Sequence, residues 1–92
     1  MPLIEFEDEA DVIKRANDTE YGLAGYVLCK DIAVGTRVAE QLEFGVIGLN
    51  DTVPTVPNCP FGGMKASGFG REGGVEGLEA YMETKYISCA GY

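Results

Sequence analysis

Residues Gly68 to Gly73 read "GFGREG", a letter-for-letter fit to G-x-G-x-x-G. A dinucleotide-binding turn of that spacing follows a strand and opens a helix. Its glycines let the backbone approach a pyrophosphate at the helix N-terminus, and an acidic residue about 20 positions on binds the ribose. The preceding residues here, "VPNCPFGGMKAS", hold two prolines and a double glycine and do not read as a strand. About 20 residues beyond Gly70 stand Ala90 and Gly91, with no acid. "GGMKASG" offers a Lys and a Ser but lacks the spacing and the adjacent K-[ST] of a phosphate-cradling P-loop. The remaining candidates for chemistry are Cys29, Cys59 and Cys89. A nucleophilic thiol needs a lowered pKa or an adjacent base, and the chain contains no His. Cys59, within the glycine-rich stretch, therefore reads as a structural or pocket-wall residue. Without a CxxC pair or a His, a structural zinc site is not expected either. The residues of this chain predict no catalytic group, no metal ligand and no cofactor-binding residue.

Composition narrows the remaining classes. The chain has 92 residues, enough for one small domain, with 46% hydrophobic and 24% charged residues, a globular balance. Seven basic and fifteen acidic residues give a net charge of −8. That excludes nucleic acid, whose phosphates require Lys and Arg, and an anionic membrane surface. Three widely spaced cysteines fit reduced thiols rather than a disulfide framework. "MPLIEFEDEA" has neither a basic n-region nor a long apolar run, so a cytoplasmic location is expected. The sequons Asn17-Asp18-Thr19 and Asn50-Asp51-Thr52 read as chance or as turn chemistry.

The periodicity predicts an α/β fold in a single partial domain, residues 1–92, built in three stretches. Residues 1–50 form a βαβαβ unit. Leu3–Phe6 is a short strand, and Asp8 caps a helix through "EADVIKRAN" whose Val12, Ile13 and Ala16 share a face. "NDTEYG" ends that helix, and the apolar run Leu23–Cys29 is a strand buried on both faces. Asp31 caps a second helix with Val34, Val38 and Leu42 stacked at four-residue intervals, and Val46–Asn50 is the next strand. Short connections between continuous apolar strands imply parallel pairing through right-handed crossovers. Ten of the thirteen glycines lie beyond Phe44, and residues 51–72 show no sustained period. A loop of that length is usually functional or wraps another element. Residues 73–92 close the chain with a short helix, "GVEGLEAYM", and a final strand.

"PFGGMKASGFGREGGVEGLEAYMETKY" resembles the C-terminal signature of NAD(P)-dependent aldehyde dehydrogenases. "ANDTEYGLAGYVLCKD" and "RVAEQLEFGVIGLN" match the segments upstream of it in that family, at matching spacing. The loop "NDTVPTVPNCPFGGMKASG" is most similar to the succinate-semialdehyde dehydrogenase branch. The resemblance implies a portion of the catalytic domain of an enzyme that oxidises an aldehyde, such as succinate semialdehyde, to the acid. NAD or NADP serves the full-length family, and none is expected for this chain alone. The family's catalytic cysteine, glutamate and cofactor domain lie upstream of the part that matches. Thr55 matches a hydroxyl-bearing position near the substrate carboxylate, and Phe61 an aromatic that walls the substrate tunnel. Arg71 and Glu83 match a pair that ties subunits together. "ETKYISCAGY", with Tyr86 and Ile87, matches a strand of the intersubunit sheet, so that self-association or docking to an aldehyde dehydrogenase is expected. The alternative is a free-standing assembly or binding module derived from that family.

Overall fold

The acidic start of the chain is a helix, as its capping residue dictates. In the computed structural model, which describes residues 1–91, α1 spans Glu9–Asn17, and the Asp8 side chain accepts a hydrogen bond from the Asp11 amide at 2.9 Å. Glu9 and Asp11 occupy the first turn and Lys14 and Arg15 the last, each sign at the end of the helix dipole that stabilises it. The second helix is capped in the same way. Asp31 accepts from the amides of Ala33 and Val34, and α2 runs from Ile32 to Gln41. Between and after them lie β1 (Tyr21–Gly22), β2 (Ala24–Val27), β3 (Val46–Leu49), β4 (Met64–Lys65) and the single-turn α3 (Glu76–Glu79).

Strands β2 and β3 pair in parallel, in register from Ala24 opposite Val46 to Val27 opposite Leu49, with α2 as the crossover. Helix α2 rests on this pair at Gly35, where an added Cβ would come within 2.7 Å of Leu49 Cδ1. The helices are joined by a two-pronged ion pair. Arg37 Nε and Nη2 each donate to one carboxylate oxygen of Glu9 at 2.7 Å.

The parallel βαβ unit is present, but the expected βαβαβ unit is an αβαβ unit. Leu3–Phe6 forms no ladder among the described residues; the Glu5 carbonyl instead accepts from Arg15 Nη1 at 2.8 Å, which lays the segment along α1. A strand exists only where a neighbour takes its backbone groups, and the sheet here ends at two strands. The final stretch differs for the same reason: residues 83–91 form no ladder and are exposed throughout. The helix expected over "GVEGLEAYM" shrinks to one turn. It has no side-chain N-cap and carries Gly77 inside, and Val75, Leu78 and Met82 are exposed, so no packing offsets the cost of nucleation.

No apolar side chain is fully buried among the described residues; the buried positions are Gly22, Gly35, Gly48, Gly62 and Gly63. The radius of gyration is 18.2 Å, against about 12 Å for a compact domain of this length. No helix among the described residues is long and apolar enough to cross a membrane.

The Glu9–Arg37 pair makes a pH-dependent link between the helices. Hydrogen bonds from the guanidinium, and its charge, hold the Glu9 carboxyl below its ordinary value of 4.5 against a smaller opposing effect of burial. A depressed carboxylate contributes stability above its unfolded pKa and loses it as pH falls through the lowered folded value. Arg37 is pushed further up and stays charged through the neutral range. In an Arg37→Met variant, the Glu9 carboxyl should titrate at a higher pH than in the wild type, as read by carboxyl carbon NMR. An unchanged titration would detach Glu9 from Arg37 in solution.

Candidate functional site

The glycine-rich loop is seated on the αβαβ unit by backbone packing. A Cβ on Gly45, at the entry to β3, would collide with the carbonyl of Gly62, so the two segments meet where only glycine permits it. Strand β4 then pairs antiparallel with β1, Tyr21 opposite Lys65 and Gly22 opposite Met64. Ser67 Oγ accepts from the Gly22 amide at 2.9 Å, and the Ala66 amide donates to Glu20 O at 2.9 Å. Lys65 Nζ donates to the carbonyls of Asn17, the last residue of α1, and Thr19, just past it, and forms an ion pair with Glu43. A cation at this end of a helix meets its unpaired carbonyls and the negative pole of its dipole. Lys65 holds this place with a left-handed φ of 54°.

Two asparagines complete the frame. Asn17 Nδ2 donates to Gln41 O at 2.9 Å, and its Oδ1 accepts from the Glu43 amide at 2.9 Å, joining the end of α1 to the end of α2. Asn50, at φ 53°, imitates one more residue pair of the ladder. Its Oδ1 accepts from the Cys29 amide at 2.8 Å, its Nδ2 donates to Cys29 O at 2.9 Å, and its backbone amide donates to Val27 O at 2.8 Å. Both sequon asparagines thus spend their side-chain amides on the fold. Asp51 Oδ1 accepts from the Val53 amide, a local turn that starts the loop.

Beyond that turn the loop doubles back. Phe61 and Glu72 exchange two backbone hydrogen bonds of 2.7 Å, and the Gly74 amide reaches Pro57 O at 3.1 Å. This fold-back encloses an open cleft of about 380 Å³ lined by Thr55, Val56, Pro57, Cys59, Phe61, Glu72 and Gly73. Phe61 also borders a second cleft of about 330 Å³, shared with Leu23, Ser67, Phe69 and Arg71. Thr55 supplies a hydroxyl to the first cleft, and Glu72 is the one charged residue in its lining. Cys59 is exposed on the same wall.

The structure therefore brings Thr55 and Phe61 together, as two walls of one cleft. It does not bring Arg71 to Glu83: the described residues contain no ion pair between them. Arg71 Nη1 turns inward, donating to the carbonyls of Gly63 at 2.9 Å, Phe69 at 3.2 Å and Gly70 at 2.9 Å. Glu83, Tyr86 and Ile87 lie on the exposed terminal segment, with Tyr86 86% and Ile87 78% accessible. Sequence reasoning missed Asn17, Asn50, Lys65 and Ser67 as organising residues. Asn17 and Asn50 each end a periodic segment, the one available hint; the partners of Lys65 and Ser67 all lie more than twenty residues away and leave no local pattern.

Residues 1–87 match the model of the aldehyde dehydrogenase family. The chain belongs to that family. It is 52% identical over 90 residues to succinate-semialdehyde dehydrogenase [NADP(+)] GabD of Escherichia coli K12, covering 98% of this chain and 18% of that protein. It is 51% identical over 90 residues to glutarate-semialdehyde dehydrogenase of Pseudomonas aeruginosa PAO1, covering 98% and 19%. Betaine aldehyde dehydrogenase of Staphylococcus aureus, solved in complex with NAD+, superposes with a TM-score of 0.86 at 50% identity over 89% of this chain and 16% of its own. The chain thus spans about a fifth of the length of the curated relatives it matches.

Aldehyde dehydrogenases of this kind use a nicotinamide cofactor, as the NAD+ complex shows for one of them. The "GFGREG" turn of this chain does not fit that group. It runs between a two-residue antiparallel strand and a one-turn helix, whereas a dinucleotide cradle joins a parallel strand directly to a helix N-terminus. Gly68, at φ +112°, and the Arg71 side chain shape it as a structural turn.

The Gly45–Gly62 contact is the most exacting feature of this frame. Gly45→Ala should destabilise the chain by roughly 1–3 kcal/mol or more, the cost of forced overpacking, because backbone meets backbone and neither can rotate away. Gly70→Ala, where an added Cβ meets nothing within 4 Å, should stay within about 0.5 kcal/mol of the wild type. Urea titrations of the two variants compare them directly.

Proposed function

We propose that this chain serves as the C-terminal portion of an aldehyde dehydrogenase that oxidises a carboxylate-bearing semialdehyde to the corresponding diacid. In this reading it contributes one side of the substrate tunnel and part of an oligomer interface. The observation that carries the proposal is the joint lining of one open cleft by Thr55 and Phe61. A hydroxyl beside an aromatic wall suits a substrate that is apolar along its length and acidic at its end. The semialdehydes named for two relatives, of succinate and of glutarate, are of that kind. Overall similarity does not select the substrate, since a betaine aldehyde dehydrogenase is nearly as identical. The selection therefore rests on the loop.

Within the cleft, the chemistry of these residues is binding and orientation. Thr55 donates its hydroxyl hydrogen to a substrate carboxylate oxygen, Phe61 packs against the carbon chain, and the fold-back from Pro57 to Gly74 keeps the wall in place. Glu72 would repel a second carboxylate, so the balancing cation comes from outside these residues. NAD or NADP, as hydride acceptor, is likewise held by other parts of the enzyme, together with the catalytic groups. Arg71 retains Nε and Nη2 for an acid such as Glu83 across a subunit boundary, and the segment around Tyr86 and Ile87 supplies an open backbone edge.

In an intact aldehyde dehydrogenase carrying this segment, Thr55→Val should weaken kcat/KM for acidic aldehydes by roughly 1.5–3 kcal/mol, one to two powers of ten, by removing a hydrogen bond to a charged group. Neutral aldehydes of the same length should lose far less. Equal losses for both would remove Thr55 from substrate selection.

The assembly role has its own test. The terminal segment presents unpaired backbone and apolar side chains, and both favour association. The charge of −8 opposes association, but salt screens exposed charge beyond about 8 Å at physiological ionic strength. The chain should form dimers or larger species, more at moderate than at very low salt, by light scattering. A monomer at high micromolar concentration, unaltered when the chain is cut after Glu83, would rule out assembly through this segment.

A further inference from the structure

We infer that Arg71 is a positioning residue for the Phe61 wall, acting through its own loop, an inference that takes its functional meaning from the substrate-cleft reading above. Three observations converge on it. First, a single guanidinium nitrogen, Nη1, gathers the carbonyls of Gly63, Phe69 and Gly70, drawing both ends of the 63–70 turn onto one donor. Second, the Arg71 stem lies against Gly62: an added Cβ there would come within 2.6 Å of Arg71 Cδ and 2.9 Å of Nη1. Gly62 is buried beneath that stem and Gly63 beside it against Ser67, although neither has a side chain to bury. Third, the residue on the C-terminal side of Arg71 is Glu72, and the residue on the N-terminal side of Gly62 is Phe61. These two exchange the paired 2.7 Å backbone bonds that close the cleft.

The clamp and the bridge are thus consecutive rungs of one structure. Carbonyls at a glycine-rich turn have no helix or sheet to take them, and an arginine that collects several of them in a half-buried position fixes their mutual geometry. Phe61 borders clefts on both of its sides, so its placement decides the division of space between them. Releasing Nη1 would free the turn, loosen the Phe61–Glu72 bridge and leave the aromatic wall without a fixed position. The β2–β3 ladder shares no bond with Arg71 and should not respond.

Amide hydrogen exchange on the full chain, followed by NMR, tests this without any activity measurement, so its outcome is independent of the substrate proposal. In Arg71→Gln, which keeps an amide donor but loses the charge and the reach, the Phe61 and Glu72 amides should exchange at least about tenfold faster. The Val46 and Asn50 amides, which donate to Leu23 and Val27, should change by less than about twofold. Arg71→Lys keeps a cation one bond shorter than the guanidinium nitrogen and should give exchange at Phe61 and Glu72 between those of wild type and Arg71→Gln. Unchanged exchange at Phe61 and Glu72 in Arg71→Gln would overturn the inference. So would equal acceleration at Val46 and Asn50 in both variants, which would mark Arg71 as a residue of general stability.

Discussion

The contact between Gly45 and Gly62 is the constraint on which the rest of the site depends. At this point the entry to β3 and the middle of the 51–72 loop touch through backbone alone, with no room for even a methyl group. Because the approach is so close, Met64 and Lys65 reach β1, Ser67 reaches the Gly22 amide, and Lys65 reaches past the end of α1. The fold-back that forms the cleft starts from that anchored segment. Glycine is costly in an ordered chain because it gives up the most conformational freedom, and here that cost is offset by packing no other residue allows.

Electrostatics serve the same frame. The chain carries a net charge of −8, yet several of its cations are engaged within the fold rather than spread over the surface. Arg37 grips Glu9 with two nitrogens, Lys65 meets carbonyls and Glu43, and Arg71 binds only carbonyls through Nη1. The division follows the chemistry of the side chains. A planar guanidinium suits a carboxylate fork or a cluster of carbonyls, and a flexible ammonium suits the end of a helix.

Among the described residues, the frame encloses no hydrophobic core. Parallel strand pairs are ordinarily covered on both faces. Here Tyr26 and Leu28 remain largely exposed beside an apolar cavity of about 390 Å³ between the helices and the sheet. The structure holds its shape through caps, ladders and glycine contacts, and its apolar side chains stay available to other surfaces. That property agrees with a chain spanning about a fifth of its relatives' length.

The sequence by itself determined the local elements. Asp8 and Asp31 marked both helix starts, because a side-chain oxygen that satisfies free amides leaves the same signature in any context. The apolar runs around Ala24–Val27 and Val46–Leu49 marked the two parallel strands, and the quoted motifs marked the family. The tertiary structure alone decided which strands exist: Leu3–Phe6 and the terminal segment have strand-like residues but no neighbour to take their hydrogen bonds, and strand formation is a property of pairs. It alone revealed Arg71 turned onto its own loop and Lys65 joined to Asn17 and Glu43. Such bonds join residues by reach across the folded chain, and nothing in the spacing of either cation along the sequence encodes its partner.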